Sequence, residues 1–546
     1  MAIELGDVVL DERRLFKQLR YDMRDDWFPD PRVFKDLLET GLVAKAMAAN
    51  FADNHGQYVP GKRTLFNIPK PDFTLRYALE TGLPDRVLCH GLVGYLVPFY
   101  DRLLPWNVCG HRYNRDKSYS AGIFRPHVQA WRDFVGVVRS AMTPTGCLVS
   151  TDLSNYYENV DLDELQGQMI GLIPSLEASP AQQAAIRAHI ALLFRCLDAW
   201  SHEPRRGLPQ NRDASSFLAN LYMLSVDRSM RDKGYSDTYF RYMDDIKVVC
   251  ADRFAARRAL KDLTLLLRPI RLTLNSRKTE ICPGADTDKL QATLDEGSPE
   301  IQRLHAMWNT RSRDVIRRSI PHLKAATLRL IAEGAVHKRE FRFCLKRMEF
   351  LALCSDFAVP DEFFNDVTPA IVGAIEEYPA STDQFVGYLR VAPVGPADLD
   401  RIADYLADKR KALYTWQNYH LWSLLAEKAH LNHRLLLCAS NILDTAIDDA
   451  DRAGATIYIG RMGGEDLRIK AAKRFGMLES FIGQRSALIA IHELQFRPFV
   501  ETYVRPHVRS DLRGVYSKLR ERPGIYFEAP EAMSITNFVE LDRSYE

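Results

Sequence analysis

Residues 1–60 mix short runs at helical spacing with polar turns. From Leu65 to about Ile281 the pattern alternates. The runs GCLVSTDL, TYFRYMDDIKVVC and IRLTLN are short and β-rich, whereas AIRAHIALLFRCLDAW and ASSFLANLYMLSVDRSM between them carry apolar residues at helical spacing. This predicts an α+β fold in which hairpins and helices share one core. From about residue 300 the strand signals fade. Segments such as VIRRSIPHLKAATLRLIAEG, KREFRFCLKRMEFLALCSD and HRLLLCASNILDTAIDDA follow one another, separated by Pro, Gly and Asp turns. They predict an all-helical half, an irregular solenoid of helix pairs without a fixed repeat period. The expected units are a helical extension over 1–60, an α+β unit over 61–290 and a helical unit over 291–546. The boundary is expected near ADTDKLQATLDEGSPEIQR.

Composition narrows this picture slightly. With 546 residues the chain has room for two to four domains and at least one large core. A formal net charge of +2 does not announce a nucleic-acid binder, so any basic surface must be local. Nine cysteines without a CxxC pair argue against a disulfide framework or a zinc site and suit a reducing cytosol. The opening MAIELGDVVLDERRLFKQLRYDM is charged and lacks the apolar centre of a signal peptide. No apolar run reaches the roughly 18–20 residues that span a bilayer. A cytoplasmic protein without membrane contact is expected.

The chemistry concentrates in three stretches. In YFRYMDDIKVVC, Phe240 and Tyr242 precede two acids, and Ile246, Val248 and Cys250 follow at period two. Two strands joined at Met243–Asp244 explain this pattern, with Asp244 and Asp245 at a hairpin tip. Adjacent carboxylates repel, but a divalent cation with oxygen ligands reverses that sign. A further Asp from elsewhere would allow a two-metal site. GCLVSTDLSNYYENVDLDEL supplies one: an apolar strand ends at Asp152, followed by Leu153, the aromatics Tyr156 and Tyr157, and a helix opening near Asp161. A lone Asp after a strand usually caps a turn, and a lone Asp pair is usually solvated; the two together are harder to dismiss. Between them, RRGLPQNRDASSFLANLYM has a constrained turn at Gly207 and Pro209, with Asp213 placed to cap a helix starting at Ala214. Its small first turn, Ala214, Ser215 and Ser216, permits close approach of a base pair, with Gln210 as the polar group facing it.

In this order, STDLSNYY, GLPQ…ASSFLANLYM and YMDD resemble the palm motifs of a reverse transcriptase. LTLNSRKTEI is similar to the segment after the palm hairpin in retron-like and intron-like enzymes, and LFNIPKPDFTLRYALETGLPDRVLCHGL looks like the fingers. The resemblance covers about residues 60–285. It implies a right-hand fingers-and-palm fold and RNA-directed DNA synthesis from dNTPs with two Mg²⁺ ions, for which Mn²⁺ can substitute. By the same resemblance, Asp152, Asp244 and Asp245 are the metal-binding carboxylates and Leu153 offers its carbonyl to a metal. Lys70 and Arg76 hold the triphosphate, and Tyr157 blocks a ribose 2′-hydroxyl. Gln210 lies near the templating pair, Met243 near the primer terminus, and Lys278 is a proton donor to pyrophosphate. Many relatives have Gly where this chain has Asn211, a residue that tolerates positive φ.

The polymerase followed by a long helical, HEAT-like half resembles the bacterial defence-associated reverse transcriptases, including the abortive-infection group. That implies antiphage activity, homo-oligomers, and DNA synthesis templated by an RNA, including a noncoding RNA, or run without template. The DNA is then in some members attached to a protein hydroxyl. A retron-like or intron-derived enzyme with a structured RNA partner is the alternative; a catalytically silent, nucleic-acid-binding helical scaffold is the alternative from another class. The basic run Arg311, Arg313, Arg317, Arg318, Lys324, Arg329, Lys338, Arg339, Arg342, Lys346 and Arg347 suggests a track for a nucleic-acid backbone, although each residue alone also fits a solvated helix face.

Overall fold

The computed structural model describes residues 2–23, 26–39, 41–115, 122–210, 212–294, 297–494 and 497–535. The chain is α+β through its first half and helical thereafter. It does not open with helix, as the reading of residues 1–60 expected. Strands β1 (Ala2–Leu5) and β2 (Val8–Asp11) pair as a hairpin first. The alternation is visible in hindsight: Ile3, Leu5, Val8 and Leu10 are buried, whereas Glu4 and Val9 face out. Gly6 at φ +65° makes the tight turn between them.

A second hairpin, β3 (Thr64–Pro69) with β4 (Leu75–Glu80), carries Lys70 in its loop and Arg76 on its return strand. The central sheet is four-stranded and antiparallel in the order β6-β7-β5-β8, where β5 is Cys147–Asp152, β6 Tyr239–Tyr242, β7 Asp245–Cys250 and β8 Glu280–Pro283. Strand β5 is buried along nearly its whole length, which explains its unbroken apolar start. The expected strand in IRLTLN is not formed. That segment touches β5 only at its end, where Thr273 accepts from the Ser154 N–H (2.9 Å) and the Asn275 N–H reaches the Asp152 carbonyl (2.8 Å); the ladder itself is made by Glu280–Pro283.

After Cys282 the described chain builds helices in two rows. Helices Arg339–Leu353, Thr382–Val391, Thr415–Glu427, Asp449–Met462 and Phe481–Ile491 stack successively in an inner row. Helices Arg313–Ala332, Val367–Ala374, Pro396–Ala407, His433–Thr445 and Glu465–Lys473 form the outer row. The sequence separates the rows: Asp449–Met462 and Phe481–Ile491 are buried almost all round, whereas His433–Thr445 has one apolar stripe. This is the stacking of helix pairs anticipated for the second half.

About half of the basic run is engaged within the protein, while Arg311, Arg317, Arg318 and Lys338 are exposed. Arg347 is in the core, 3.5 Å from the Phe343 ring centroid. Arg313 pairs with Asp356, Lys324 with Asp366, Arg329 with Glu300 and Glu333, and Lys346 with Glu349. Glu333 and Glu349 lie one turn from their cations on the same helix, whereas Glu300, Asp356 and Asp366 come from elsewhere in the fold.

Candidate active site

The register of the central sheet assembles the carboxylates. Asp152, the last residue of β5, lies directly opposite Asp245, the first of β7, so their side chains share a face. Ser150 and Lys247 are the next pair on that face. Lys247, only 4% exposed, donates to Asp245 Oδ1 and Ser150 Oγ, both at 2.7 Å. The sequence reading did not single out this buried ammonium; period-two spacing from Asp245 is the signal that finds it.

Between Tyr242 and Asp245 the chain turns in two residues. The first, Met243, has φ +56°, a region non-glycine residues rarely occupy. Its side chain is 5% exposed and sits against Gly110, where an added Cβ would lie 3.2 Å from Met243 Cγ. Met243 therefore packs beneath the turn and offers no exposed side chain beside a primer end. The strained turn is held from below by Arg241, which is fully buried. Its guanidinium binds Asp227 through Nε (2.9 Å) and Nη2 (2.6 Å), while Nη1 reaches Asn220 Oδ1 (2.8 Å) and the Met243 carbonyl (3.0 Å). Asp227 also accepts the Tyr239 hydroxyl at 2.8 Å. Arg241, Asp227 and Asn220 were missed because nothing in their types distinguishes them from surface polar residues; only the packed helices behind the sheet do.

Asp244 projects from the tip of the turn. Burial pushes its carboxyl up to about 6, with Asp245 and Asp152 adding to the rise and its own N–H and Lys278 opposing it. The Asp244 carbonyl accepts the Leu153 N–H at 3.2 Å, tying the turn to the end of β5. Lys278 crosses to Asp152 Oδ2 at 2.6 Å, with 68% of its side chain exposed. Partial burial lowers the Lys278 ammonium, but its bond to Asp152 and the nearby charges of Asp244 and Asp245 win, and the net shift is upward. The other Asp152 oxygen, Oδ1, is buried and accepts no hydrogen bond. An anionic oxygen so enclosed calls for a cation, and the oxygen-only donor set of Asp152 and Asp244 suits Mg²⁺.

Tyr157 stands beside this cluster, its hydroxyl 2.8 Å from Ser216 Oγ. Burial pushes its phenol well up, and the Asp244 charge adds to the rise. Ala214, Ser215 and Ser216 are all buried, so the small first turn of the helix Asp213–Tyr222 is covered by protein and Tyr157 instead of lying open to a base pair. Asp213 does not cap this helix. Arg212 occupies the cap position, and Asp213, already inside the first turn, points at His111 and His127. Gln210 Nε2 donates to Glu158 at 3.3 Å. Asn211 lies outside the described residues.

Arg76 is not on a solvated strand face. Its guanidinium lies 5.7 Å from the Trp27 ring centroid; the residue is half-buried, with Nε out of contact with solvent. Burial lowers it, Arg342 lowers it further, and Asp383, Asp244 and Glu158 act in the opposite sense. Charges from the turn at Asp244 and from two inner-row helices thus act together on Arg76 of the β3–β4 hairpin. Lys70, in the β3–β4 loop, is half-buried.

Among the described residues no helix is long and apolar enough to cross a membrane. No curated protein matches the chain. Residues 114–315 match the family model of reverse transcriptases (RNA-dependent DNA polymerases), a span that includes all three acids and Lys278 but not Lys70 or Arg76. Such domains work on nucleic acid and dNTPs and use divalent metal ions, typically Mg²⁺. The chain therefore carries a reverse transcriptase domain over residues 114–315, which contains the antiparallel sheet and its acid pair and indicates RNA-directed DNA polymerase activity.

Proposed function

We propose that the chain extends DNA by two-metal phosphoryl transfer at Asp152 and Asp244, with Asp245 as the third acid. The observation that supports this reading is the pairing of Asp152 with Asp245 across the sheet, with Asp244 at the adjoining turn and Asp152 Oδ1 buried without a donor. Two Mg²⁺ ions, or Mn²⁺ in their place, held by these acids and the Leu153 carbonyl would neutralise the transferring phosphoryl and acidify the primer 3′-hydroxyl. The chain's own residues do the rest. Lys278, kept protonated beside Asp152, donates its proton to the departing pyrophosphate. Arg76 and Lys70 hold the triphosphate, Arg76 as a planar fork and Lys70 as a point charge. Tyr157, its ring fixed by the bond to Ser216, excludes a 2′-hydroxyl. Gln210 borders the templating pair, and the backbone at Met243 borders the primer end.

The reading extends to biology: a cytoplasmic, homo-oligomeric enzyme of antiphage defence, templated by RNA, including a noncoding RNA, or running without template, its DNA free or joined to a protein hydroxyl. The stacking of the helical half in two rows is compatible with the HEAT-like half this assignment expects. The test is incubation of purified protein with Mg²⁺ and each labelled dNTP, with and without RNA, beside Asp244→Asn and Asp245→Asn. Incorporation by wild type alone supports the site; equal incorporation by the variants refutes it. Product that enters a gel only after protease treatment identifies protein attachment. Unchanged phage plating on cells expressing wild type or Asp244→Asn refutes the defence role.

A further inference from the structure

We propose that His111, His127 and Asp213 form a second metal site, of zinc type, separate from the catalytic acids. The three come from distant parts of the chain: the loop after Gly110, the first residue of the helix His127–Ala141, and the first residue of the helix Asp213–Tyr222. They offer two imidazole nitrogens and a carboxylate oxygen, all within 4.8 Å of one another.

The distances fit coordination as well as a long direct pairing. His111 Nε2 and His127 Nε2 lie 3.3 and 3.2 Å from the same atom, Asp213 Oδ1. Charge-assisted N–H···O contacts are normally about 2.7–2.9 Å. Ligands bound at about 2.0–2.1 Å around a tetrahedral zinc ion stand about 3.3–3.4 Å apart. The two edges therefore have the length expected of ligands sharing one ion. Imidazole nitrogen selects zinc-type ions over Mg²⁺. The side chains of His111, His127 and Asp213 are 11%, 27% and 21% exposed, so solvent reaches the site and water can complete the coordination.

Charge points the same way. The Asp213 N–H donates to Asp22 Oδ1 at 3.0 Å. Asp22 belongs to a network with Asp26 and Glu80, in which the cations are Arg86 and Arg212. With Asp213 added, four carboxyl groups share two guanidiniums, and the imidazoles of His111 and His127 are the groups that face Asp213 itself, where a cation is favoured. The site also adjoins the catalytic turn. The His127 carbonyl faces the Tyr242 hydroxyl at 3.4 Å, and Tyr242 directly precedes the turn. A metal here would fix the helix that carries Ser216, and with it Tyr157, making the three ligands positioning residues.

The experiment uses the full-length protein, stripped with chelator and kept in excess Mg²⁺ to occupy the acid pair. One equivalent of Co²⁺ should give the intense visible absorption of a low-coordinate imidazole site, and Zn²⁺ should abolish it. Asp244→Asn should retain this binding, whereas His111→Gln and His127→Gln should weaken it by more than about a hundredfold. X-ray absorption of the zinc-loaded wild type should show two imidazoles, a readout that needs no variant to fold. A wild type that binds neither ion below about 10 μM overturns the proposal. So does an all-oxygen shell, or binding unchanged in both histidine variants; the cluster is then two imidazoles hydrogen-bonded to one carboxylate.

Discussion

Arg241 and Asp227 allow the support of the catalytic turn to be separated from its chemistry. Both side chains are fully buried, and neither is within the reacting group. Burial alone lowers the Arg241 guanidinium, but Asp227 more than restores it and holds it above its ordinary value. Replacing Arg241 with Met strands the Asp227 carboxylate in the core. Removing one partner of a buried pair costs about 3–5 kcal/mol. At 1.36 kcal/mol per factor of ten, β6 and β7 should open a few hundred to a few thousand times more often. Amide hydrogen exchange in Tyr239–Tyr242 and Asp245–Cys250 reads this directly. The paired change Arg241→Met with Asp227→Leu removes both charges, which is often close to neutral. It still leaves the Met243 carbonyl, Asn220 and the Tyr239 hydroxyl without their partners, at about 1–3 kcal/mol for each buried group left unpaired. Stability should therefore recover in part. Nucleotide incorporation should not, because the strained Met243 conformation has lost the donor that fixes it. Full activity in the paired variant would refute the view that Arg241 aims Asp244, and unchanged exchange in the single variant would refute the energetic argument.

Three further outcomes are expected. Lys278→Ala should lower kcat about 10²-fold or more with little change in dNTP KM, measured by single-turnover extension, because the proposed role is proton donation. Gly460→Ala places a Cβ 2.5 Å from Ala490 Cα, where two inner-row helices touch backbone to backbone; this overpacking should cost at least about 1–3 kcal/mol in thermal or denaturant unfolding. His420 is held neutral, its pKa lowered to about 4 mainly by burial, with the Trp27 carbonyl opposing and Arg390 assisting. The unfolded chain then binds the extra proton between pH 6.5 and 4, so stability is lost as pH falls through that window, by up to about 3 kcal/mol. Limited proteolysis near Trp27 should follow that pH dependence in wild type and lose it in His420→Gln.

What the sequence revealed divides along physical lines. The positions of the three acids were legible because their neighbours alternate at period two: Asp152 ends a strand, Asp245 begins one and Asp244 lies in the turn before it. The two rows of helices were legible from apolar spacing. The opening hairpin was not, since four-residue strands around Gly6 and Asp7 are too short to outweigh the helical run that follows. IRLTLN has strand-like alternation, yet the neighbouring segment won the place beside β5. Asp213 is an ordinary capping residue by type; only three-dimensional proximity to His111 and His127 gives it another role. Part of the basic run is engaged by acids, some one turn away on the same helix (Glu333, Glu349) and some from elsewhere in the fold (Glu300, Asp356, Asp366), and only the latter could not be read from local spacing.

The position of Arg76 shows why the two halves cannot be treated as a polymerase with an appendage. Phe28 packs on Phe66 of the fingers hairpin at 4.5 Å and on Tyr419 of the helical half at 5.2 Å between ring centroids. The Trp27 carbonyl receives Trp416 Nε1 at 2.7 Å and stands 3.0 Å from His420 Nε2, while the Trp27 ring faces Arg76. Further along the same segment, Arg485 holds Asp30 and Asp36 with both carboxylates buried. Residues 27–36 therefore form a strap with one side on the fingers and the other on the inner row. Arg342 and Asp383, from that row, act on the charge of Arg76 alongside Asp244. The arginine assigned to the triphosphate has its field set partly by the catalytic acid and partly by the helical half. If Arg76 holds the triphosphate as proposed, a rearrangement of the inner helices would reach it through this chain of aromatic rings and buried charge.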